Sequence, residues 1–487
     1  MQGRRISVIL GIIVLVAIGG LGGWQWWRWR YPSVILDPNA EINPDRTYRI
    51  SIWVEIGDGL VEPPRVNDEF WAGIEAEFQS FYPNVQILLE EVTKPELEKE
   101  MHEALARGRP PHILVTSSEW FRVWSDLQLP IDRFLPAEQR YQYFPGALAR
   151  VTVDEHLVAW PSQIQPSLWV ASQPRLQRLG NEMAWVLDSW GEATSWFGND
   201  WRELKDKLRK LESPSLAPIA HQLGDPNTLT QILVATSKGI VGPDGQLLLS
   251  GELIRSVLRD WQVMQNEKFM SLVQGTLLTD FLSGKRVIIG PVGLWIWSLG
   301  DNARLRRYRT LGIPKDMVLL PAPGAGGSNG YLNGKMVDVI VFRHQPFQGS
   351  AHARLSMELA KTLSRKLGVE MSKTGLGVPA CKELLDEWQS IIGWGPEQRT
   401  NLEQVLERSQ GLPPLPLQWH EARRQLLHKI LLPNLADFVN GKVGPEIADK
   451  LEMEMRLFLE ALQPPGSKGK DRPSRITYNG SYLDISG

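Results

Sequence analysis

The sequence is poor in the residues that staple a fold or hold a metal. Among 487 residues there is a single cysteine, Cys381, which excludes an intramolecular disulfide framework and a thiolate metal site. Neither sign of charge is in excess: 53 Lys and Arg against 55 Asp and Glu leave a formal net charge of −2. That balance gives no electrostatic footprint for nucleic acid. Catalytic signatures are equally scarce. His102-Glu103 and His420-Glu421 lack the second histidine of a zincin helix, and no G-x-S-x-G elbow occurs. The run Gly324 to Gly330, GAGGSNG, does not match G-x-G-x-x-G and sits between two strand patterns, so it reads as a loop bordering a cleft rather than a phosphate cradle. No internal repeat is visible. The chain is therefore expected to be no enzyme, with no cofactor, no metal and no catalytic residue.

What is abundant is tryptophan, with 20 copies. Each indole offers a large stacking face and one polar N–H, and some of so many should lie in a surface or cleft. The 43% apolar content supports real cores, and the length allows two or three domains.

The N-terminus carries the longest apolar run. Ile6 to Leu21 is almost wholly apolar or glycine, preceded by Arg4 and Arg5 and followed by WQWWRWR, Trp24 to Arg30. From Ile6 through Trp27 the segment is long enough to cross a bilayer, and tryptophans at its end fit an interfacial aromatic belt. A lipid-modified N-terminus is excluded, since no cysteine lies here. An uncleaved transmembrane anchor over 1–30 is expected, with a cleaved signal peptide as its rival. Either way the bulk of the chain should lie in the periplasm or outside the cell.

The body opens with a proline-bearing linker over 31–46. Tyr48 to Val54 alternates as a strand. A helix capped by Asn67 or Asp68 carries Phe70, Ile74, Phe78 and Phe81 at helical spacing. Val85 to Leu89 is a second strand. Pro95 opens a helix with Leu97, Met101 and Leu105 on one face, and His112 to Val115 is a third strand. This β-α-β-α-β order is the unit of a parallel sheet covered by helices. Further strands are expected at Ser167 to Ala171, Val318 to Leu320 and Val337 to Phe342. Helices follow Asp200 and run to Asn266, with a short one near Thr276 to Ser283. From Ala351 the chain is mostly helical, with Leu355, Leu359, Leu363 and Leu367 at every fourth position, then Trp419 to Val439 and Ile447 to Leu462. Residues 464–487 are rich in Pro, Gly, Lys and Ser and are expected to be disordered. One stretch stands out, RVIIGPVGLWIW, Arg286 to Trp297. Val287, Ile288 and Ile289 read as a buried strand that Gly290 and Pro291 stop, because proline cannot donate to a ladder. Trp295 and Trp297 lie just past the stop, where open α/β folds place their ligands. Each could equally be core.

The order of these segments resembles the extracellular solute-binding proteins of family 1, the maltose-binding-protein-like components of ABC sugar importers. The likeness spans Tyr48 to Leu462. It rests on ISIW; on FWAGIEAEFQSFYPNVQI; on HILVTSSEWFRVWSDLQLPIDRFL; on LVAWPSQIQPSLWV; on FLSGKRVIIGPVGLWIWSLGDN; and on PAPGAGGSNGYLNGKMVDVIVF with GLGVPA. The resemblance implies an α/β, two-lobed periplasmic-binding-protein-like (type II) fold with a ligand cleft between its lobes. One lobe is expected over 47–158 and 314–346, the other over 159–313 and 347–463. The hinge crossings would lie near Val158 to Ser162, Ile313 to Lys315 and His344 to Phe347.

The implied function is the substrate-binding component of an ABC-type importer, binding a mono- or oligosaccharide, with ABC permease subunits as partners and a monomeric chain. A sugar shows hydroxyls around its ring and apolar C–H faces, so its receptor needs flat aromatic faces flanked by donors and acceptors. The candidates at strand ends are Trp53, Glu55, Asp58, Ser118, Trp120, Trp160, Gln163, Trp295, Trp297 and Asn329, with Ser117 beside them. Family matching carries Trp53, Trp120 and Trp295 or Trp297 best. Trp160 could also pack the hinge, and each carboxylate could sit in a solvated turn. Trp71, Trp201 and Trp261 lie on apolar helical faces and are expected in the core. Two other readings stay open. One is a membrane-anchored homologue used for sensing or scaffolding. The other is a glycan hydrolase built on Glu55, Asp58 and Glu119.

Overall fold

The computed structural model describes residues 36–57, 68–117, 127–153, 155–166, 168–172, 219–222, 226–237, 239–266, 270–273, 281, 288–292, 317–320, 334–374, 377–392, 394–408, 415 and 417–462. Their strands are β1 (Tyr48–Ile56), β2 (Val85–Thr93), β3 (Ile113–Thr116), β4 (Thr152–Val153), β5 (His156–Leu157), β6 (Trp160–Pro166), β7 (Leu168–Ser172), β8 (Ile219–Gln222), β9 (Met270–Val273), β10 (Ile288–Val292), β11 (Met317–Leu320), β12 (Gly334–Val341) and β13 (Val378–Pro379). The main helices are α1 (Asp68–Phe81), α2 (Lys94–Ala106), α3 (Pro145–Arg150), α4 (Pro226–Ser237), α5 (Gly251–Asn266), α6 (Ser350–Glu370), α7 (Leu385–Ile392), α8 (Pro396–Arg408), α9 (Leu417–Gln425), α10 (Leu432–Val439) and α11 (Ile447–Leu462).

Two sheets organise the chain. The first has the order β13-β6-β12-β3-β1-β2 and the second β11-β7-β10-β8-β9. In the first, β2, β1 and β3 run parallel, as the βαβαβ reading requires, and β12 and β6 add antiparallel neighbours. The alternation in β1 does what its period predicts: Ile50, Ile52 and Val54 are buried on one face, while Ser51 and Trp53 on the other are half-buried. In α1 the buried set is Trp71, Ile74 and Phe78, whereas Phe81 is 73% exposed. Phe81 was expected inside; as the last residue of the helix it projects past the packed stripe. In α2, Leu97, Met101 and Ala104 are buried and Leu105 is only partly so. Leu355, Leu359, Leu363 and Leu367 of α6 are all fully buried, since a four-residue repeat keeps them on one helical face.

The sheets divide the chain at other places than the sequence boundaries. The sequence boundary at 159 puts β6 in the second lobe, yet it hydrogen-bonds β12 in the first sheet. The sequence boundary at 314 puts β11 in the first lobe, yet it pairs with β7 in the second sheet. Helix α6 packs on β6 and β12, and β13 pairs with β6, so residues 350–392 go with the first sheet rather than the second. The first crossing is thus between Pro166 and Leu168, the next between Leu320 and Gly334, and His344 to Phe347 is no crossing. Helix α8 touches both β11 and α3 and leads into a separate apolar cluster of α4, α5 and residues 415–459. These assignments depend on which strand accepts which neighbour's hydrogen bonds, and a strand's own period carries no such information.

Two further expectations change. The Gly290-Pro291 pair does not end β10, which runs from Ile288 to Val292. It marks an irregularity instead: Ile289 pairs with Val170, the register shifts, and Val292 pairs with Leu168, while pairing to β8 stops at Gly290. A proline without an N–H fits inside a strand at such a break. Residues 36–46 have neither helix nor strand, as a linker should, yet they are seated. Leu36 is buried in the core, and Arg133 and Arg354 donate to the carbonyls of Leu36 and Ala40 at 2.8 Å each. Strand β8 lies in a stretch whose pattern reads as helical, and β9 in one with no clear period. Trp71 and Trp261 are buried as expected. Trp201, the helix from Asp200, the anchor over 1–30 and the tail over 464–487 lie outside the described residues, as does the helix near Thr276 apart from Phe281, which is helical and buried. Among the described residues, no helix is long and apolar enough to cross a membrane.

Candidate functional site

The carboxyl ends of β1, β3 and β6 and the amino end of β12 meet along one edge of the first sheet, because β6 and β3 both run antiparallel to β12. Both first crossings into the second sheet, at Pro166–Leu168 and Leu320–Gly334, leave or enter at this edge. A crevice at the carboxyl ends of strands, beside the crossovers, is where open α/β sheets bind ligands.

The register sets a row of polar residues there. Val54 pairs with Val115, which brings Glu55 beside Thr116, and Asp338 pairs with Thr116 from the other side. All three are fully buried. Glu55 Oε2 accepts a short hydrogen bond from Thr116 Oγ1 and one from the Ser117 N–H at 3.0 Å. Glu55 Oε1 accepts from Ser117 Oγ at 3.0 Å. A buried carboxylate is tolerated when such donors replace its water. The arrangement clasps the end of β1 to the end of β3, from which the segments beginning at Asp58 and Ser118 depart.

Four of the ten candidate residues fall within the described chain. Trp53 keeps exposed surface and packs its other side against the first core. It projects from the same face of β1 as Glu55, two residues on. Trp160 is a correction: it is 0% exposed in the core, with Lys361 Nζ 5.8 Å from its ring centroid, and offers no face to a ligand. Gln163 is likewise 0% exposed, its Oε1 accepting from Gln165 Nε2 at 3.3 Å. It is walled by Gly377, where a Cβ would lie 2.5 Å from the Gln163 side chain. Glu55 belongs to the edge but turns its oxygens inward. Asp58, Ser118, Trp120, Trp295, Trp297 and Asn329 lie outside the described residues, as do Glu119 and the Gly324 to Gly330 loop. Asp338 was missed, although a lone acid inside the apolar run MVDVIVF was a signal for it. Among the described residues, no group of three or more His, Cys, Asp or Glu is placed to hold a metal ion.

No known family profile matches the sequence, and no curated protein matches it. Solved structures do match. The sugar-binding protein MalE from Xanthomonas citri is 15% identical, covers 85% of this chain and 98% of its own, and superposes with a TM-score of 0.61. The cyclic alpha-maltosyl-1,6-maltose binding protein from Arthrobacter globiformis is 13% identical over 85% of this chain and 100% of its own, with a TM-score of 0.59. An extracellular solute-binding protein of family 1 from Alicyclobacillus acidocaldarius is 14% identical over 86% and 99%, with a TM-score of 0.57. At these identities the likeness establishes the fold: two-lobed, α/β and periplasmic-binding-protein-like.

Proposed function

We propose that the chain is a carbohydrate receptor, binding a mono- or oligosaccharide between its lobes and delivering it to an ABC permease. One observation carries this reading: proteins described as sugar-binding match over 98% or more of their own length, so both halves of the receptor architecture have counterparts here. The matched proteins are binding proteins, which supports a non-enzymatic role. Trp53 supplies a half-buried indole at the carboxyl edge, suited to the C–H face of a sugar. In this proposal Trp120, Trp295 and Trp297 add stacking faces, and Asp58, Ser118 and Asn329 hold hydroxyls. The N-terminal apolar segment keeps the receptor at the membrane, outside the cytoplasm.

Ligand that binds only the folded receptor raises its melting temperature by mass action. A thermal-shift panel from monosaccharides through maltotriose and longer glucans is expected to give concentration-dependent rises for at least one class. No rise across the panel at millimolar sugar would refute the proposal. A second reading is favoured by the burial of Trp160: the fold serves as a membrane-tethered sensing or scaffolding body whose cleft has lost part of its aromatic lining. A hydrolase built on Glu55 has little support, because both oxygens of that carboxylate accept hydrogen bonds from neighbouring backbone and hydroxyls.

A further inference from the structure

Three of the eight histidines of the chain stand in one column away from the carboxyl edge. His112, just before β3, lies between the other two. Its ring centroid is 3.9 Å from that of His344, stacked, and 4.4 Å from that of His352. His112 and His352 are buried and His344 is partly so. His344 follows β12, and His352 sits in the first turn of α6.

The hydrogen bonds around the column form a directed chain fixed at both ends. The Ser51 backbone N–H donates to His112 Nδ1 at 3.1 Å, and a backbone N–H can only donate. His112 therefore carries its proton on Nε2 and donates to Gln348 Oε1 at 2.9 Å. The other half of the Gln348 amide donates to His344 Nδ1 at 3.2 Å. His344 in turn donates from Nε2 to the Pro110 carbonyl at 2.7 Å, and a carbonyl can only accept. His352 donates to the carbonyl of Arg49 at 2.9 Å. His112 and His344 are thus held neutral, each with its tautomer specified at both ring nitrogens.

We propose that this column is an acid-sensitive latch, which holds residues 344–352 and the start of α6 against β1 and β3 and releases them when a ring takes up a proton. A proton on His112 Nδ1 would oppose the Ser51 N–H, which cannot turn round, and would have to be taken by the Ser51 Oγ 2.9 Å away, which already accepts from the His112 backbone N–H at 3.2 Å. A proton on His344 Nδ1 would face the Gln348 NH2 group. Turning that amide over satisfies His344 but sets a donor against His112. A proton on His344 therefore sets Gln348 against one ring or the other. The charged groups around the rings make this worse. Arg46 lies over the Tyr48 ring beside His352 and acts on it, and Arg109 acts on His344; both are cations. Burial pushes all three histidines down, His112 to about 3, and each is lowered further by a neighbouring ring or cation. Gln348 is the pivot, since its amide has one donor end and one acceptor end.

The test is hydrogen exchange on the full-length chain at pH 7.5 and pH 5.0, corrected for intrinsic rates, comparing wild type with Gln348→Glu. An opening that frees one such histidine should be favoured at the lower pH by roughly tenfold or more. Protection of amides 344–352 is expected to fall by that factor in wild type. A carboxylate at 348 accepts from both rings at once, so it should abolish most of the fall. Unchanged protection in wild type, or an equal fall in the variant, would overturn the latch. If the variant does not fold, histidine ring nitrogen shifts of the wild type decide. Neutral Nε2–H rings at pH 6 that titrate together with the loss of protection support it. Rings titrating near 6.5 while protection is retained refute it.

Discussion

Truncating Glu55 tests whether the carboxyl edge is held together by its own residues. The carboxylate is fully buried and accepts three hydrogen bonds, from Thr116 Oγ1, Ser117 N–H and Ser117 Oγ. In Glu55→Ala the two hydroxyls can rotate toward other acceptors, but the buried Ser117 N–H cannot. An orphaned buried donor costs about 1–3 kcal/mol, and losing charge-assisted bonds adds to that. We expect a loss of about 2–4 kcal/mol. Thr116→Val keeps volume and removes one donor, for about 1 kcal/mol. Because the two residues touch, the double variant should show a coupling of about 1–2 kcal/mol, against about 0.5 kcal/mol or less for independent sites. The assay is equilibrium urea unfolding followed by tryptophan fluorescence for all four proteins. Additive effects would refute the clasp. So would a Glu55→Gln variant of unchanged stability whose affinity for a sugar found in the thermal-shift panel is lost, because Glu55 would then be serving the ligand.

Three other perturbations have definite expected outcomes. In Gly368→Ala, helix propensity favours the change by roughly 0.5–1 kcal/mol, but the new Cβ would lie 2.6 Å from the Ser162 carbonyl, so net destabilisation of about 1–3 kcal/mol is expected in urea unfolding. Leu359→Ala empties a fully buried position on the packed face of α6 and should cost about 2–5 kcal/mol, read as a lowered midpoint at unchanged slope. Stability should also fall in acid. His112 titrates near 6.5 when unfolded and at about 3 when folded, so its contribution is fully present above 6.5. As pH drops below 6.5 the unfolded chain binds a proton that the folded chain refuses, which removes about 1.4 kcal/mol per pH unit until about pH 3. Unfolding measured at pH 7.5, 6.5, 5.5 and 4.5 should change little over the first step and then fall with a slope that approaches or exceeds that value, since His344 and His352 shift in the same direction.

Local pattern carried much of the secondary structure. The alternation in YRISIWVEI, the proline opening of α2 and the four-residue leucine repeat of α6 each fix an element through steric periods that act over a few residues. Their burial followed, apart from end effects such as Phe81. The candidate site was only partly readable for the same reason. That Trp53 and Glu55 share a face follows from a period of two. That Glu55 turns its oxygens onto Thr116 and Ser117 requires knowing that β3 lies beside β1, 61 residues on.

Tertiary pairing decided the rest. Trp160 and Gln163 sit after a proline-turn pattern that suited either a hinge or a cleft, and their burial depends on β6 being received between β12 and β13. The same pairing moved the crossings to Pro166–Leu168 and Leu320–Gly334. The histidine column had no sequence signal, since His112 is more than 230 residues from the segment that carries His344 and His352. Side-chain direction along a strand or helix is set by the residues themselves, so the chain order alone fixes it. Which surfaces meet is set by hydrogen bonds and packing between distant segments, and that is a property of the folded whole.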